Sequence, residues 1–419
     1  MFTQLDSSDS TLDSAHSWLI AALAFVTCLV IFGVVYSFGA FFKPMAAEFK
    51  ASRATTSAVF AITAAIYNLL GVVGGHLSDR FGPRPVVLAG AVVTGTGLLA
   101  TSYIDRLWLI YLTYGLGIGI GVALTYVPML ALVGGWFVHR RNTAMGVAVS
   151  GIGCGTLLFA PAAAWLIGRY GWRDAYDILA VLVSSCLAVC ALLADAPPDP
   201  IRTGRLHLWQ AIRTPNFSRL YLSSVLVSVA IYTPFVYLPD FAQSLGIADI
   251  RAASLVGFIG AASIGGRLAL GTVADRTGII ALYKFSTISL ALSYVLWIVS
   301  HSYSVLLAFA LVMGAAYGGL VALSPAVVAE LFGVTGLGAM LGALFTSSAI
   351  SSLVGPPVVG LLMDYTGKLI WPPLLAGASG VLAFVVLMPL AKAAPEAYES
   401  SDQRLQAEPG GSRSGGATR

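Results

Sequence analysis

The sequence contains few charged residues for its length. Of its 419 residues only 10% are Asp, Glu, Lys or Arg, whereas 58% are hydrophobic, and the mean hydropathy is +0.85. Soluble domains carry about 25% charged residues. This shortage excludes an ordinary soluble domain and indicates a chain that crosses a membrane several times. The net charge of +4 comes without any basic run, so we expect no nucleic-acid partner.

Residues that hold metals, nucleotides or catalytic groups are also scarce. The four cysteines lie in apolar stretches without metal-ligand spacing, and no Walker motif or nucleophile–base constellation is visible. We therefore predict no enzyme activity, no metal and no cofactor. Rows of glycines at 115–121 and 151–155 lie inside apolar stretches, which favours helix packing over nucleotide binding. Residues 1–16 are polar and lack a basic start, so they are not expected to be a signal peptide.

Apolar segments of about 20–25 residues recur along the chain, and each is long enough to cross a bilayer as a helix. The pattern predicts an all-α membrane protein with twelve transmembrane helices in two six-helix pseudo-repeats. The predicted segments are 17–42, 54–76, 86–104, 107–132, 142–167, 174–194, 219–244, 252–274, 280–300, 303–329, 337–362 and 370–391.

The longest interior polar stretch, which contains prolines and several arginines, divides these segments six and six. Lys and Arg are slightly more frequent in the loops on the same side of the membrane as this stretch than in the loops on the other side. This bias favours both termini in the cytoplasm and a multi-pass protein of the plasma membrane. The predicted parts are a cytoplasmic tail (1–16), a six-helix bundle (17–194), a cytoplasmic linker (195–218), a second six-helix bundle (219–391) and a disordered tail (392–419).

A glycine–aspartate pattern occurs twice. Gly75-His-Leu-Ser-Asp79-Arg80-Phe-Gly82, followed by Pro83 and Arg84, comes after the second segment. Gly271-Thr-Val-Ala-Asp275-Arg276-Thr-Gly278 comes after the eighth, 196 residues later. The same separation relates Tyr36 to Tyr232. The repeat indicates two halves of common design, and such halves place a substrate site near the midplane where they meet.

Arg267 is the one cationic side chain well inside a predicted segment. Placing a guanidinium there costs about 2.5–3.5 kcal/mol on insertion scales, so such residues usually have a function. We therefore predict that Arg267 binds an anion. The alternative is a structural arginine whose donors bind backbone carbonyls.

Three tyrosines are further candidates for the same pocket. Tyr36, Tyr126 and Tyr317 lie in the first, fourth and tenth segments, near glycines. A phenol can donate a hydrogen bond to a carboxylate while its ring excludes water. For each tyrosine taken alone, a packed or interfacial ring is the alternative.

The repeated Gly-x-x-x-Asp-Arg-x-Gly pattern resembles the signature loop of the major facilitator superfamily. The resemblance implies a gating role at the cytoplasmic rim, where contacts break as the protein opens inward. The residues concerned are Gly75, Asp79, Arg80 and Arg84 in the first copy, and Gly271, Asp275 and Arg276 in the second.

A narrower resemblance covers about residues 17–390. The stretches from Tyr36 to Pro44 and from Gly135 to Gly155, and Glu330-Leu-Phe-Gly333, are similar to motifs of the monocarboxylate transporter family, which includes bacterial oxalate:formate antiporters. The resemblance implies that Arg267 is the substrate arginine. Ser263 and Tyr36 occupy the positions of the aspartate and lysine that carry proton coupling in that family, and we count Ser263 among the pocket residues.

Together these observations predict a secondary transporter that works as a monomer by alternating access. Its substrate would be a small organic monocarboxylate such as lactate or pyruvate, moved with a proton or in exchange for another anion. Since the eleventh segment holds no second cation, a dicarboxylate would leave one charge unpaired. The alternatives are an exporter of hydrophobic or drug-like compounds on the same scaffold, and a membrane receptor that binds without flux.

Overall fold

The computed structural model describes residues 12–196, 213–332 and 337–390. In these ranges eleven helices are long and apolar enough to cross a membrane, and one further apolar helix has 17 residues. This confirms the predicted all-α architecture. We number the spans 1 to 12: Ala15–Glu48, Arg53–Phe81, Pro83–Ser102, Leu107–Trp136, Arg141–Tyr170, Trp172–Leu193, Pro215–Ser244, Asp249–Thr277, Ile279–Ile298, Tyr303–Phe332, Leu337–Thr366 and Trp371–Leu387.

Two spans depart from a regular α-helix. Span 1 is interrupted at Ser37 and consists of Ala15–Tyr36 and Phe38–Glu48. The Ser37 hydroxyl donates to the carbonyl of Val34 at 2.9 Å, a type of bond that bends helices. Span 4 contains a π-helical turn, Tyr111–Leu116. Such turns re-aim the side chains that follow.

Spans 2, 5, 8 and 11 all end in the same way. Each is followed by a glycine with positive φ, which ends the helix because only glycine adopts this conformation without a Cβ clash. The φ values are 86° at Gly82, 86° at Gly171, 88° at Gly278 and 67° at Gly367. Gly82 and Gly278, like Gly171 and Gly367, are 196 residues apart. The repeat found in the sequence therefore reappears in the backbone.

The glycine rows lie at helix–helix contacts, as the sequence indicated. A Cβ on Gly117 would lie 3.2 Å from the Cα of Gly97 in span 3, and one on Gly119 would lie 2.7 Å from Ile66 in span 2. Glycine allows this close approach, and dispersion contacts then stabilise the pairs of helices.

The contacts between spans also follow the repeat. Within the first six, span 1 packs on spans 4 and 5, and span 3 on spans 4 and 6; within the last six, span 10 packs on spans 8 and 9. Span 2 contacts span 11, and span 5 contacts span 8. A shift of six spans converts one of these two cross-contacts into the other.

Most of the predicted linker and the tail from 391 onward lie outside the described residues, and span 7 begins at Pro215, four residues before its predicted start.

An even number of crossings places residues 12 and 390 on one side, which we call the terminal face; the other side is the opposite face. On the terminal face the Asp13 carboxylate accepts the backbone N–H groups of Val138, His139 and Arg140 at 3.3, 3.0 and 3.2 Å. These bonds, above all that from His139, hold the pKa of Asp13 below its usual range. They tie the start of span 1 to the connection between spans 4 and 5.

Candidate functional site

Span 8 lies between spans 5 and 10 at very short distance, because the contacts are made by glycine. A Cβ on Gly260 would lie 2.6 Å from the carbonyl oxygen of Gly153 in span 5. On the other side, a Cβ on Gly266 would lie 2.7 Å from the carbonyl carbon of Ala315 in span 10. The backbone of span 8 is thus fixed on both sides next to Arg267.

The Arg267 guanidinium is only partly satisfied. One Nη donates to the carbonyl oxygen of Val149 in span 5 at 2.6 Å. Nε and the other Nη are buried and have no hydrogen-bond partner. No carboxylate of the described residues forms an ion pair with Arg267. The backbone therefore accounts for one of the three nitrogens, and two remain to hold an anion in the fork geometry that suits a carboxylate.

Two of the predicted tyrosines, Tyr36 and Tyr126, contact one phenylalanine together with Tyr67. The Phe32 ring of span 1 lies edge-on to Tyr126 of span 4 with centroids 5.0 Å apart, and edge-on to Tyr67 of span 2 at 5.8 Å. It lies 5.7 Å from Tyr36 in its own helix. Tyr126 is within electrostatic range of Arg267, which connects the aromatic cluster to the cation.

The C-terminal spans contribute the other wall of the cluster. Tyr36 stacks on Phe235 of span 7 with centroids 4.2 Å apart, and Phe235 lies 6.2 Å from Tyr317 of span 10. The structure therefore brings Tyr36, Tyr126 and Tyr317 into one aromatic cluster. Their hydroxyls come from three spans and both halves of the sequence.

A hydrogen-bonded group extends the cluster toward span 2. The Asn68 amide donates to the hydroxyl of Tyr232 at 3.0 Å and to the carbonyl of Ala64 at 2.7 Å. The hydroxyls of Tyr232 and Tyr67 are 3.3 Å apart. Asn68 and Tyr232 are 9% and 6% exposed, so these bonds fix the ring orientation in a dry environment.

Sequence reasoning did not select Phe32, Tyr67, Asn68 or Phe235 for the pocket. Asn68 could have been predicted from the sequence, because burying an amide well inside an apolar span costs free energy and indicates a polar contact there. No feature of the sequence marks Phe32 or Phe235 for the pocket, since each is one apolar residue among many.

Ser263 takes part in the contact between spans 8 and 10. It is fully buried, and its hydroxyl donates to the carbonyl of Gly260 at 2.7 Å, within its own helix. Its backbone packs against Gly318 of span 10. Ser263 is thus part of the helix contact that positions Arg267.

The gating motif is helical rather than a loop, which corrects the sequence analysis. Gly75, Asp79 and Arg80 belong to the last turns of span 2, which ends at Phe81. Asp79 is exposed, and the Arg80 guanidinium lies 5.2 Å from the Phe81 ring centre. Arg84 donates to the Asp195 carboxylate and to the carbonyl of Ala194, at the end of span 6. The side chains of the second copy, at Gly271, Asp275 and Arg276, lie outside the described residues.

Metal ligands do not cluster in the part of the chain that the structure describes. No group of three or more His, Cys, Asp or Glu side chains there could hold a metal ion. The chemistry of the site is therefore that of a cation, phenols and one amide.

The sequence matches the family model of the Major Facilitator Superfamily over residues 23–301 and 281–410. Among curated proteins it is 32% identical over 380 residues to monocarboxylate transporter 13 of Bos taurus, covering 88% of this chain and 89% of the relative. It is 31% identical over 399 residues to monocarboxylate transporter 11 of Homo sapiens, covering 91% of this chain and 84% of the relative.

Two solved structures share the fold at low sequence identity. A D-xylose-proton symporter superimposes with a TM-score of 0.73 at 16% identity, covering 89% of this chain and 97% of the symporter. A bacterial homolog of the human lysosomal transporter Spinster gives 0.70 at 15% identity, covering 90% and 96%. The twelve apolar helices of the described residues agree with this fold and with these relatives. The chain is a multi-pass membrane transporter of the major facilitator superfamily and belongs to its monocarboxylate transporter family.

Proposed function

We propose that this chain is a secondary transporter that moves a small organic monocarboxylate, such as lactate or pyruvate, by alternating access. The observation that carries the proposal is the pair of buried, unpartnered nitrogens on Arg267. A guanidinium in a membrane span without a carboxylate partner needs an external anion to neutralise it. The names of the relatives point to the same class of substrate.

The surroundings of Arg267 favour one carboxylate per substrate. Span 11, at Leu337–Thr366, contains no Lys or Arg in its sequence. A second carboxylate would lie unpaired among aromatic rings, at a cost of several kcal/mol. The rings of Phe32 and Phe235 suit a short apolar group instead.

The charge of the substrate is compensated by a proton or by an exchanged anion. Ser263 uses its hydroxyl within its own helix, and Tyr36 is a buried phenol stacked on Phe235. Ser263 therefore lacks the carboxylate, and Tyr36 lacks the amine, that occupy these positions in the family where proton coupling is expected. We place the terminal face in the cytoplasm, with the protein in the plasma membrane and active as a monomer.

Uptake into proteoliposomes tests the proposal. Radiolabelled lactate, pyruvate and other small acids are offered with and without a proton gradient, and with and without unlabelled acid inside. Arg267→Ala is expected to abolish saturable uptake. Arg106→Ala is the matched control, because Arg106 is an exposed arginine in the connection between spans 3 and 4.

The gradient arms separate the coupling modes. Stimulation by a proton gradient indicates symport, and stimulation by internal acid indicates exchange. If no acid is taken up by the wild type, or if Arg267→Ala transports like the Arg106→Ala control, the proposal is wrong and a hydrophobic substrate becomes the better hypothesis.

A further inference from the structure

The glycine–aspartate pattern has a third copy, at the opposite face. Span 11 ends with Gly360-Leu-Leu-Met-Asp364-Tyr-Thr-Gly367, which repeats the Gly-x-x-x-Asp-x-x-Gly spacing of residues 75–82 and 271–278. It lacks the arginine of those copies. Gly367 has a positive φ, as do the glycines that end spans 2 and 8. The chain thus carries this pattern on both faces of the membrane.

Asp364 caps a helix that belongs to the other half of the sequence. Its two carboxylate oxygens accept the backbone N–H groups of Arg53 and Ala54, at 3.1 and 3.0 Å. These are the first residues of span 2. A carboxylate at a helix N-terminus satisfies free N–H groups and lies at the positive end of the helix dipole. The bond therefore attaches the end of span 11 directly to the start of span 2.

Neighbouring contacts tighten the same junction. Arg53 Nε lies 3.5 Å from the carboxylate of Asp240 in span 7, whose side chain is 11% exposed. The hydroxyl of Tyr237, also in span 7, donates to the carbonyl of Pro356 in span 11 at 2.6 Å. Three spans from both halves are thus joined by charged and polar groups around one point.

The backbones of spans 2 and 11 are in direct contact here. A Cβ added to Gly360 would lie 2.7 Å from the backbone nitrogen of Ala54 and 2.7 Å from the hydroxyl of Tyr237. Beside the contact is a cavity of about 270 Å³, lined among others by Lys43, Arg53, Asp240 and Asp364. The junction is therefore closed but borders a polar space.

The terminal face differs from this arrangement. There the equivalent aspartate, Asp79 at the end of span 2, is exposed, and no hydrogen bond or ion pair joins it to a residue whose side chain the structure describes. Of the two copies whose aspartate side chains are described, the one at 360–367 is engaged by Asp364, whereas Asp79 has no such contact with the described side chains.

We propose that Asp364, Arg53, Asp240 and Gly360 form a latch that holds the opposite face closed and must break each time the transporter opens on that side. Asp364 is the central group because it bonds to the backbone of the other half. The inference rests on transport by alternating access, and it does not depend on which substrate is carried.

Cysteine accessibility tests the latch without any substrate. Ser57 is fully buried, one turn into span 2 and next to Tyr237. A cysteine introduced at Ser57, after replacement of the four native cysteines by serine, is labelled in intact cells with a membrane-impermeant maleimide. Loss of a helix cap shifts an equilibrium by about 2- to 30-fold, so Asp364→Ala should accelerate labelling by a factor in that range. The replaced cysteines are Cys28, Cys154, Cys186 and Cys190.

A second variant disrupts the contact between spans 2 and 11 by steric clash instead of by loss of the cap. Gly360→Ala forces spans 2 and 11 apart and should also accelerate labelling. Two controls should leave the rate unchanged. Asp105→Ala removes an exposed carboxylate that pairs with Arg173 within the first six spans, and Gly168→Ala adds a methyl group where no atom lies within 4 Å.

The outcomes are distinct. Faster labelling in both latch variants but in neither control supports the latch, even if no acid is ever found to be transported. If Asp364→Ala and Gly360→Ala purify as monodisperse protein and label at the rate of the controls, the latch assignment is wrong. A protein that fails to transport acids but responds in this way overturns only the proposed substrate.

Discussion

Arg267 in span 8 donates a hydrogen bond of 2.6 Å to the main-chain carbonyl of Val149 in span 5, and this bond crosses from one half of the sequence to the other. The same side chain keeps two unpartnered nitrogens. A substrate carboxylate bound to those nitrogens would therefore be connected, through one rigid guanidinium, to the helix contact that changes when the halves move. Under the proposed function, substrate binding and conformational change would thus share a single planar group.

Arg267→Lys should reduce transport strongly although it keeps the charge. An ammonium cannot hold the Val149 carbonyl and a bidentate carboxylate in one plane. Losing a partner of a buried, hydrogen-bonded charge costs at least about 2 kcal/mol, which corresponds to a rise in KM of about thirtyfold or more. Initial rates over a range of acid concentrations measure this change. A KM within threefold of the wild type would show that charge alone is recognised.

Asn68 and Tyr232 should behave as one unit. Their bond of 3.0 Å is buried, so removing either partner leaves the other with one hydrogen bond fewer in a dry environment. Asn68→Ala and Tyr232→Phe are each expected to lower the transport rate, and the double variant should be no worse than the more damaging single one. The three rates, compared with the wild type, form a double-mutant cycle. Additive losses would mean that the two residues act separately.

The fold could be read from the sequence because the bilayer sets the length of each apolar segment. The boundaries differed most at the end of span 1, where the chain stays helical beyond Ser37 as far as Glu48. Smaller differences occur at Pro215, where a cap and proline start the helix early, and near Asp79, where a helix continues through a charged motif. The pocket was harder to predict. Span 1 is apolar on all sides, so nothing in its sequence shows that Phe32 faces inward while Leu19 faces outward. The role of Asp364 was missed because its copy of the pattern lacks the arginine.

Asp13→Asn should destabilise the protein near neutral pH and not in strong acid. The carboxylate accepts three backbone N–H groups, and its pKa is lowered in the folded state. A lowered pKa stabilises the fold above the unfolded value of about 3.8, and this contribution is lost as the pH falls through the folded pKa. Thermal unfolding in detergent, from pH 7 into strong acid below the folded pKa of Asp13, measures the difference in Tm between Asp13→Asn and the wild type. Asp79→Asn, at an exposed aspartate, is the control.

Cys154 should report on the charge of the pocket. Both Cys154 and Cys28 are within electrostatic range of Arg267. The two differ in exposure, because Cys154 is half-buried and Cys28 is fully buried. A sulfonate-bearing methanethiosulfonate is expected to inactivate transport faster than a trimethylammonium analogue, because the guanidinium attracts the anion. Cys154→Ser should abolish inactivation, and Cys28→Ser should not. In Arg267→Gln labelling of Cys154 should lose its preference for the anionic reagent.

Two adjacent glycines offer the most direct test of how the site is positioned. A methyl group added to Gly265 would have no atom within 4 Å, whereas a methyl group on Gly266 would strike the backbone of Ala315. Gly266→Ala should therefore separate spans 8 and 10, with an overpacking cost of about 1–3 kcal/mol. Gly265→Ala adds the same atom on the same helix turn without a clash, and alanine is the better helix former.

The expected result is a lower Tm and a raised KM for Gly266→Ala, with Gly265→Ala equal to the wild type in KM and equal or higher in Tm. A KM change is the specific readout, since Arg267 follows Gly266 directly and moves with it. If Gly266→Ala lowers Tm but leaves KM unchanged, the contact between spans 8 and 10 supports the fold without positioning the anion site. The position of Arg267 would then depend on span 5 alone, through Val149 and the approach of Gly260 to Gly153.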